Sequence, residues 1–301
     1  MSDVTNSAPT TPAPTTPAPT TPAPVRRPAL SPSRAGDFKQ CPLLYRFRAV
    51  DRIPETPSTA QIRGTVVHAA LEQLYALPAP ERDRQRASEL VGPAWQRTLQ
   101  ESPELADMFG AAELPEFLTA AKTLVERYFT MEDPTRFEPE ACELRVEIEL
   151  DDGVVLRGFI DRVDVAPTGE IRVIDYKTGA APREIGEGRA MFQMKFYAVA
   201  LWRLRGVVPT QLRLMYLADG QMLTYAPDED ELRRFERTLS AIWRAILSAG
   251  ATGDFRPSPS KLCDWCDHKS RCPAFGGTPP PYPGWPHVPD AGEATALERA
   301  L

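Results

Sequence analysis

The chain has 301 residues and is 42% hydrophobic, enough for one large domain or two small ones around a sizeable core. A formal net charge of −6 argues against a protein that coats nucleic acid wholesale, although a phosphate footprint depends on where the charges sit and a local basic groove stays open. No apolar run approaches bilayer length and the N-terminus lacks the charged-then-apolar pattern of a secretory signal, so a cytoplasmic location with no membrane partner is expected; five cysteines then point to metal ligation plus a spare thiol rather than disulfides.

Residues 1–29 are low-complexity: Thr10-Thr-Pro-Ala-Pro14 recurs as Thr15–Pro19 and Thr20–Pro24, which predicts an extended, disordered tail. Order is expected from Leu30. Ser31 before Pro32 is a helix start, with serine as N-cap and proline at the first helical position, and the helix is expected to run through Phe38, Cys41, Leu44 and Tyr45. Between Arg34 and Arg52 the cations Arg34, Lys39, Arg46, Arg48 and Arg52 outweigh Asp37 and Asp51, a face suited to following phosphates and equally to meeting solvent. Gln61–Tyr75 reads as an amphipathic helix with Val67, Ala70, Leu71 and Leu74 on one face and His68 on or beside it. Residues 80–132 read as a helical insertion with a turn at Glu101-Ser-Pro103 and no chemistry of its own.

From Ala141 the period changes to two. Leu144, Val146, Ile148 and Leu150 alternate with Glu143, Arg145, Glu147 and Glu149 in a half-exposed strand. Asp151-Asp152-Gly153 turns it into a hairpin with Val154–Val165, and Pro167-Thr168-Gly169 leads on to Ile171–Lys177. These two apolar strands deliver Asp161 and Asp175, and alternation puts Asp175 and Lys177 on one face with Tyr176 on the other. Two carboxylates and an ammonium converging at a sheet edge are equipment for a divalent ion and phosphodiester hydrolysis. A helix follows over Glu187–Trp202, placing Gln193 and Tyr197 one turn apart; then come strands at Gln211–Leu217 and Met222–Tyr225, and a helix carrying Leu232, Phe235, Leu239, Ile242 and Ile246.

Cys263-x-x-Cys266-x5-Cys272 supplies three thiolates from a short loop. The fourth ligand of a metal is Cys41, far upstream, or His268 within the loop, and spacing alone does not separate an iron–sulfur cluster from Zn²⁺. Residues 276–301 are proline-rich and read as a loosely held tail.

Gly158-Phe-Ile-Asp161 followed by Ile174-Asp-Tyr-Lys-Thr-Gly179 resembles the core of the PD-(D/E)XK nucleases, in particular the RecB-family exonucleases. Gly64-x-x-x-His68, Gln193-x-x-x-Tyr197, Leu30-Ser-Pro-Ser33 with Gln40-Cys41-Pro42, and the three clustered cysteines are similar to the AddB-type and CRISPR-associated RecB-like nucleases that carry an iron–sulfur staple. The resemblance implies an α/β, restriction-endonuclease-like core over residues 30–275: a central mixed sheet flanked by helices, with a helical insertion at about 80–132 and a cluster-binding segment at 260–275. It implies Mg²⁺ or Mn²⁺ held by His68, Asp161, Asp175 and the backbone carbonyl of Tyr176, with Lys177 acting in catalysis beside Asp161 and Asp175. Cys41, Cys263, Cys266 and Cys272 would hold a 4Fe–4S cluster, with structural Zn²⁺ as the alternative, and Gln193, Tyr197, Arg34, Arg46 and Arg48 would contact DNA.

The expected activity is that of a metal-dependent DNA exonuclease in repair or recombination, acting at single-stranded or free ends. No P-loop of the form G-x-x-x-x-G-K-S/T is present, so unwinding falls to a helicase or repair complex as partner. The rival expectations are a CRISPR-associated nuclease trimming spacer precursors and a non-catalytic DNA-binding scaffold.

Overall fold

In the computed structural model, which describes residues 28–182 and 184–285, one mixed five-stranded sheet runs in the order β1 (Ala141–Glu149), β2 (Val155–Val165), β3 (Ile171–Lys177), β4 (Gln211–Tyr216), β5 (Gln221–Tyr225). The Thr/Pro repeats and the chain beyond residue 285 lie outside the described residues. All neighbours pair antiparallel except β3 and β4, which run parallel. A parallel pair needs a crossover, here the long helix Glu184–Arg205 between them.

Helices cover both faces. One layer is built from α1 (Pro32–Gln40), α2 (Pro42–Tyr45) and the two long helices after the third strand. The other is built from α3 (Thr59–Tyr75), α4 (Arg84–Glu101) and α5 (Glu113–Tyr128). The long helices are α6 (Glu184–Arg205) and α7 (Glu229–Thr252). The alternation of β3 sorts its side chains between the layers: Ile171 and Val173 join the core under α6, while Ile174 and Tyr176 join the core under α3 and α5. The mixed sheet between helical layers is the architecture the sequence motifs imply.

The helix expected through Tyr45 breaks at Cys41, whose backbone is extended (φ −162°, ψ 112°). Proline at 42 disfavours helical geometry in the residue before it, so α1 stops at Gln40 and α2 restarts at Pro42, leading into a π-helical turn over Arg46–Val50. Helix α3 starts two residues earlier than its apolar pattern suggests, because Ser58 and Gln61 form a reciprocal capping box.

The segment after Gly276 is not a loose tail as far as Trp285. The Tyr282 hydroxyl donates to Gly250 O at 2.6 Å, and the Trp285 ring lies over Gly250 so closely that a Cβ there would sit 2.2 Å from it. Gly250 on α7 is therefore the seat of a strap.

Candidate active site

The site assembles where β2 and β3 meet α3 and α6. On β3, Asp175 and Lys177 face α6 and form an ion pair at 2.6 Å. Gln193, on α6, ties the pair together: its Oε1 accepts from Lys177 Nζ at 2.8 Å, its Nε2 donates to Asp175 Oδ1 at 2.9 Å, and the same nitrogen reaches the Tyr197 hydroxyl at 3.3 Å. Residues four apart on a helix share a face, which is why Gln193 and Tyr197 arrive together. Gly158 on β2 makes room for them, since a Cβ at that position would lie 2.9 Å from the Tyr197 ring.

His68 comes down from α3 on the other side. Its Nε2 is 2.9 Å from the Tyr176 carbonyl and its Nδ1 is 3.5 Å from Asp161 Oδ2, while the Tyr176 amide donates to that same Asp161 oxygen at 2.7 Å. Of the four ligands expected from the sequence, His68, Asp161 and the Tyr176 carbonyl thus converge directly, and Asp175 stands beside them turned to Lys177 and Gln193.

One residue was missed. Glu143 reads in the sequence as an exposed position of an alternating strand; in the structure its carboxylate joins the His68 imidazole and the Asp161 carboxylate, with one ligand atom of each within 4.8 Å of the others. Cys142 pairs with Arg162 and Leu144 with Ile160, so Glu143 stands opposite Asp161. Its φ of +46° is left-handed, a conformation costing a non-glycine residue about 1–3 kcal/mol. On β2 the same point is a break in period: Ile160 and Val163, three apart, enter the same core. The two strands bend together at Glu143 and Asp161, which aims both carboxylates at His68. No composition or spacing signal marks that bend.

Crowded carboxylates shift the titrations. Burial disfavours the His68 imidazolium, but Asp161 outweighs it, with help from Asp175 and Glu143, and the imidazole is pushed up to about 9. Burial and the Asp161 charge push Glu143 up to about 7, with His68 opposing. Asp175, buried and facing Asp161, also rises above the usual carboxylate range in spite of Lys177. A cluster that holds protons it would ordinarily lose has more negative charge than the site tolerates. An imidazole, carboxylates and a backbone carbonyl fit Mg²⁺ or Mn²⁺ in donor chemistry, the imidazole leaning toward Mn²⁺.

The expected DNA-contacting arginines separate. A groove of about 860 Å³ leads away from the site between α1 and α6, lined by Ser31, Lys39, Arg48, Phe159, Gln193 and Tyr197 among others. Arg48 is on its wall, paired with Asp37 at 2.7 Å and Glu55 at 2.8 Å. Arg34 is half-buried and donates to Ala29 O at 3.0 Å. Arg46 is the correction: it is 7% exposed, paired with Asp51 at 3.0 Å and donating to Pro280 O, so its charge holds the strap and does not reach the groove.

Cys41, Cys263, Cys266 and Cys272 line one cavity, together with His268. Among the described residues no three cysteines bring their sulfurs within 4.8 Å of one another. His268 Nε2 is 2.6 Å from Glu55 Oε1 and its ring packs on Phe47, so it is engaged elsewhere.

Over residues 29–273 the chain matches the sequence profile of the PD-(D/E)XK nuclease superfamily. It is 26% identical over 277 residues to the Gene 69 protein of Mycobacterium phage D29, covering 83% of this chain and 98% of that protein. To the Gene 69 protein of Mycobacterium phage L5 it is 25% identical over 289 residues, covering 82% and 97%. Among solved structures, the "Putative exonuclease" from Eubacterium rectale is similar with a TM-score of 0.55 at 16% identity, covering 80% of this chain and 87% of that one, a likeness of fold. No helix among the described residues is long and apolar enough to cross a membrane.

Proposed function

The chain belongs to the PD-(D/E)XK nuclease superfamily, and on that premise we propose that it is a metal-dependent DNA exonuclease of the RecB-like type, acting at single-stranded ends. The observation that carries the reading is the meeting of His68, Glu143, Asp161 and the Tyr176 carbonyl beside the Asp175–Lys177–Gln193 group. A divalent ion bound there supplies positive charge against the scissile phosphate and acidifies water. Lys177, held between Asp175 and Gln193, points an ammonium at the same place, where it orients the attacking water or offsets charge in the transition state. Tyr197 is held above its ordinary titration range mainly by burial, so its hydroxyl stays protonated and available to donate to a phosphate oxygen.

Four cysteines lining one cavity suit a 4Fe–4S cluster and structural Zn²⁺ alike, and the cluster is preferred on the resemblance of the cysteine pattern to the iron–sulfur nucleases. Single-stranded ends are favoured because the sequence carries no P-loop to power unwinding, which leaves that task to a helicase or repair complex.

The test uses protein purified without oxygen, with end-labelled single-stranded DNA and Mg²⁺ or Mn²⁺. Metal-dependent shortening from the ends, abolished by Lys177→Ala, is the expected result. Cleavage that survives Lys177→Ala, or none from an intact cluster-bearing protein, counts against this site and this activity.

A further inference from the structure

Phe159 is 53% exposed, although Leu156 and Ile160 on the same strand are buried. A solvated Phe lining a concavity lacks the burial that ordinarily places such a residue. It lines the groove that contains Lys39, Arg48, Gln193 and Tyr197, and it also lines a second cleft on the far side of the site, with His68, Glu72, Arg97, Glu101 and Glu143. Phe159 therefore forms the sill between the two, two residues before Asp161 on β2.

The two clefts differ in charge. In the first, Lys39 is exposed and reaches over the Phe192 ring at 4.3 Å, and although Arg48 on the wall is paired with Asp37 and Glu55, the lining still sets two cations, Lys39 and Arg48, against the single carboxylate of Asp37. In the second, the one arginine, Arg97, is shared between Glu72 at 2.9 Å and Glu101 at 3.3 Å, and Glu143 adds a further carboxylate. A phosphate backbone is drawn along the first and meets carboxylates in the second. A strand following the first groove to Asp161 brings its last bases to Phe159.

We propose that Phe159 is the stacking platform for one unpaired base beside the scissile phosphate, and that this contact makes the site select single-stranded DNA. The inference rests on the nuclease reading and deepens it by assigning a specificity residue. A base stacks on an exposed ring only when its own partner strand has left, and such contacts are indifferent to sequence because every base has a flat face. Phe159 makes no polar contact and takes no part in the chemistry; its role is to hold the strand.

The experiment measures binding of fluorescein-labelled single-stranded DNA by anisotropy, on the full chain carrying its metals, with Ca²⁺ supplied in place of Mg²⁺. Abasic residues are placed one at a time along the first nucleotides from the end. Phe159→Ala is expected to weaken binding of the intact strand about 5- to 150-fold, the range for losing one stacked base. Phe159→Trp is expected to retain the affinity. At one position the abasic lesion should weaken the wild type and leave Phe159→Ala unaffected, since both changes remove the same contact. Penalties that add at every position, or an unchanged dissociation constant in Phe159→Ala, overturn the proposal. Because binding is read without turnover, an inactive protein would defeat the nuclease reading while the cycle still reports on Phe159.

Discussion

Glu143 and His68 govern how protons compete with a cation at this site. With Glu143 raised to about 7 and His68 to about 9, both carry protons in mildly acidic solution, and a metal must displace them. The sign follows: affinity for Mn²⁺ increases with pH. Between pH 7 and 9 only His68 must be discharged, so affinity rises about tenfold per pH unit; below pH 7 both must, and the slope approaches a hundredfold. Calorimetric titration of Mn²⁺ in buffers of different ionisation enthalpy reads the protons released. Glu143→Gln is expected to weaken binding and to remove the steeper portion below pH 7. An unchanged slope in that variant would take Glu143 out of the metal's ligand set. The residues that announced themselves in sequence, Asp161, Asp175 and Lys177, did so because they end apolar runs, and a strand's alternation fixes their faces. Glu143 gave no such sign, because what recruits it is a left-handed residue in the middle of a strand, and φ is not written in side-chain pattern.

At the scale of elements, Glu132, at the end of the stretch read from sequence as a helical insertion, joins α3 in holding the strands of the candidate site in place. Arg162, fully buried one residue after Asp161, turns to the opposite face and donates to Tyr75 on α3 at 2.6 Å and to Tyr176 on β3 at 2.8 Å, and it is ion-paired with Asp164 at 3.0 Å and with Glu132 just past α5. One guanidinium thereby joins the helix that carries His68 to the strands that carry Asp161 and Asp175. A buried arginine is tolerable only when its charge is balanced, and Glu132 is a principal balance. Burial alone would raise the Glu132 carboxyl, but Arg162 outweighs it and holds it below the ordinary glutamate value. A depressed folded value means that the pair's contribution is complete above about pH 4.3 and is lost as the pH falls from there toward the folded value. Glu132→Gln is expected to cost about 3–5 kcal/mol at pH 7, and the gap from wild type, followed by denaturant melts from pH 7 to 3.5, should close toward the acid end. A gap independent of pH would mean that shape, not charge, makes Glu132 matter. The strands and helices along the chain were legible because period two and period 3.6 are strong signals, while the helix–sheet layering was legible through the family resemblance. The break of α1 at Cys41 could have been read from Pro42, whereas the Arg162 network could not, because its members lie far apart in the chain.

Across the whole molecule, four cysteines from the two ends of the described fold line one cavity. Cys41 follows α1, and Cys263, Cys266 and Cys272 follow α7, so a metal centre held by all four would tie the wall of the groove to the C-terminal segment. Leu262, next to Cys263, lines that groove as well. Closing a loop of nearly the full domain removes chain entropy from the unfolded state worth about 5 kcal/mol, if loop entropy sets the scale. The Tyr282–Trp285 strap and the Arg46–Pro280 contact already bind the same regions without metal, and they set what remains when the centre is lost. Cys41→Ser is therefore expected to fold, but with a melting temperature lower by about 10–20 °C, taking about 2–4 °C per kcal/mol for a domain of this size. Stripping the centre from the wild type with an iron chelator should lower the melting temperature by a similar amount, and stripping Cys41→Ser should add little. Two perturbations that break the same link do not sum, whereas two that act separately do. Full additivity would show that Cys41 stands outside the centre and that the loop is closed by His268 or left open, and the link between groove and C-terminal segment would then rest on the strap alone.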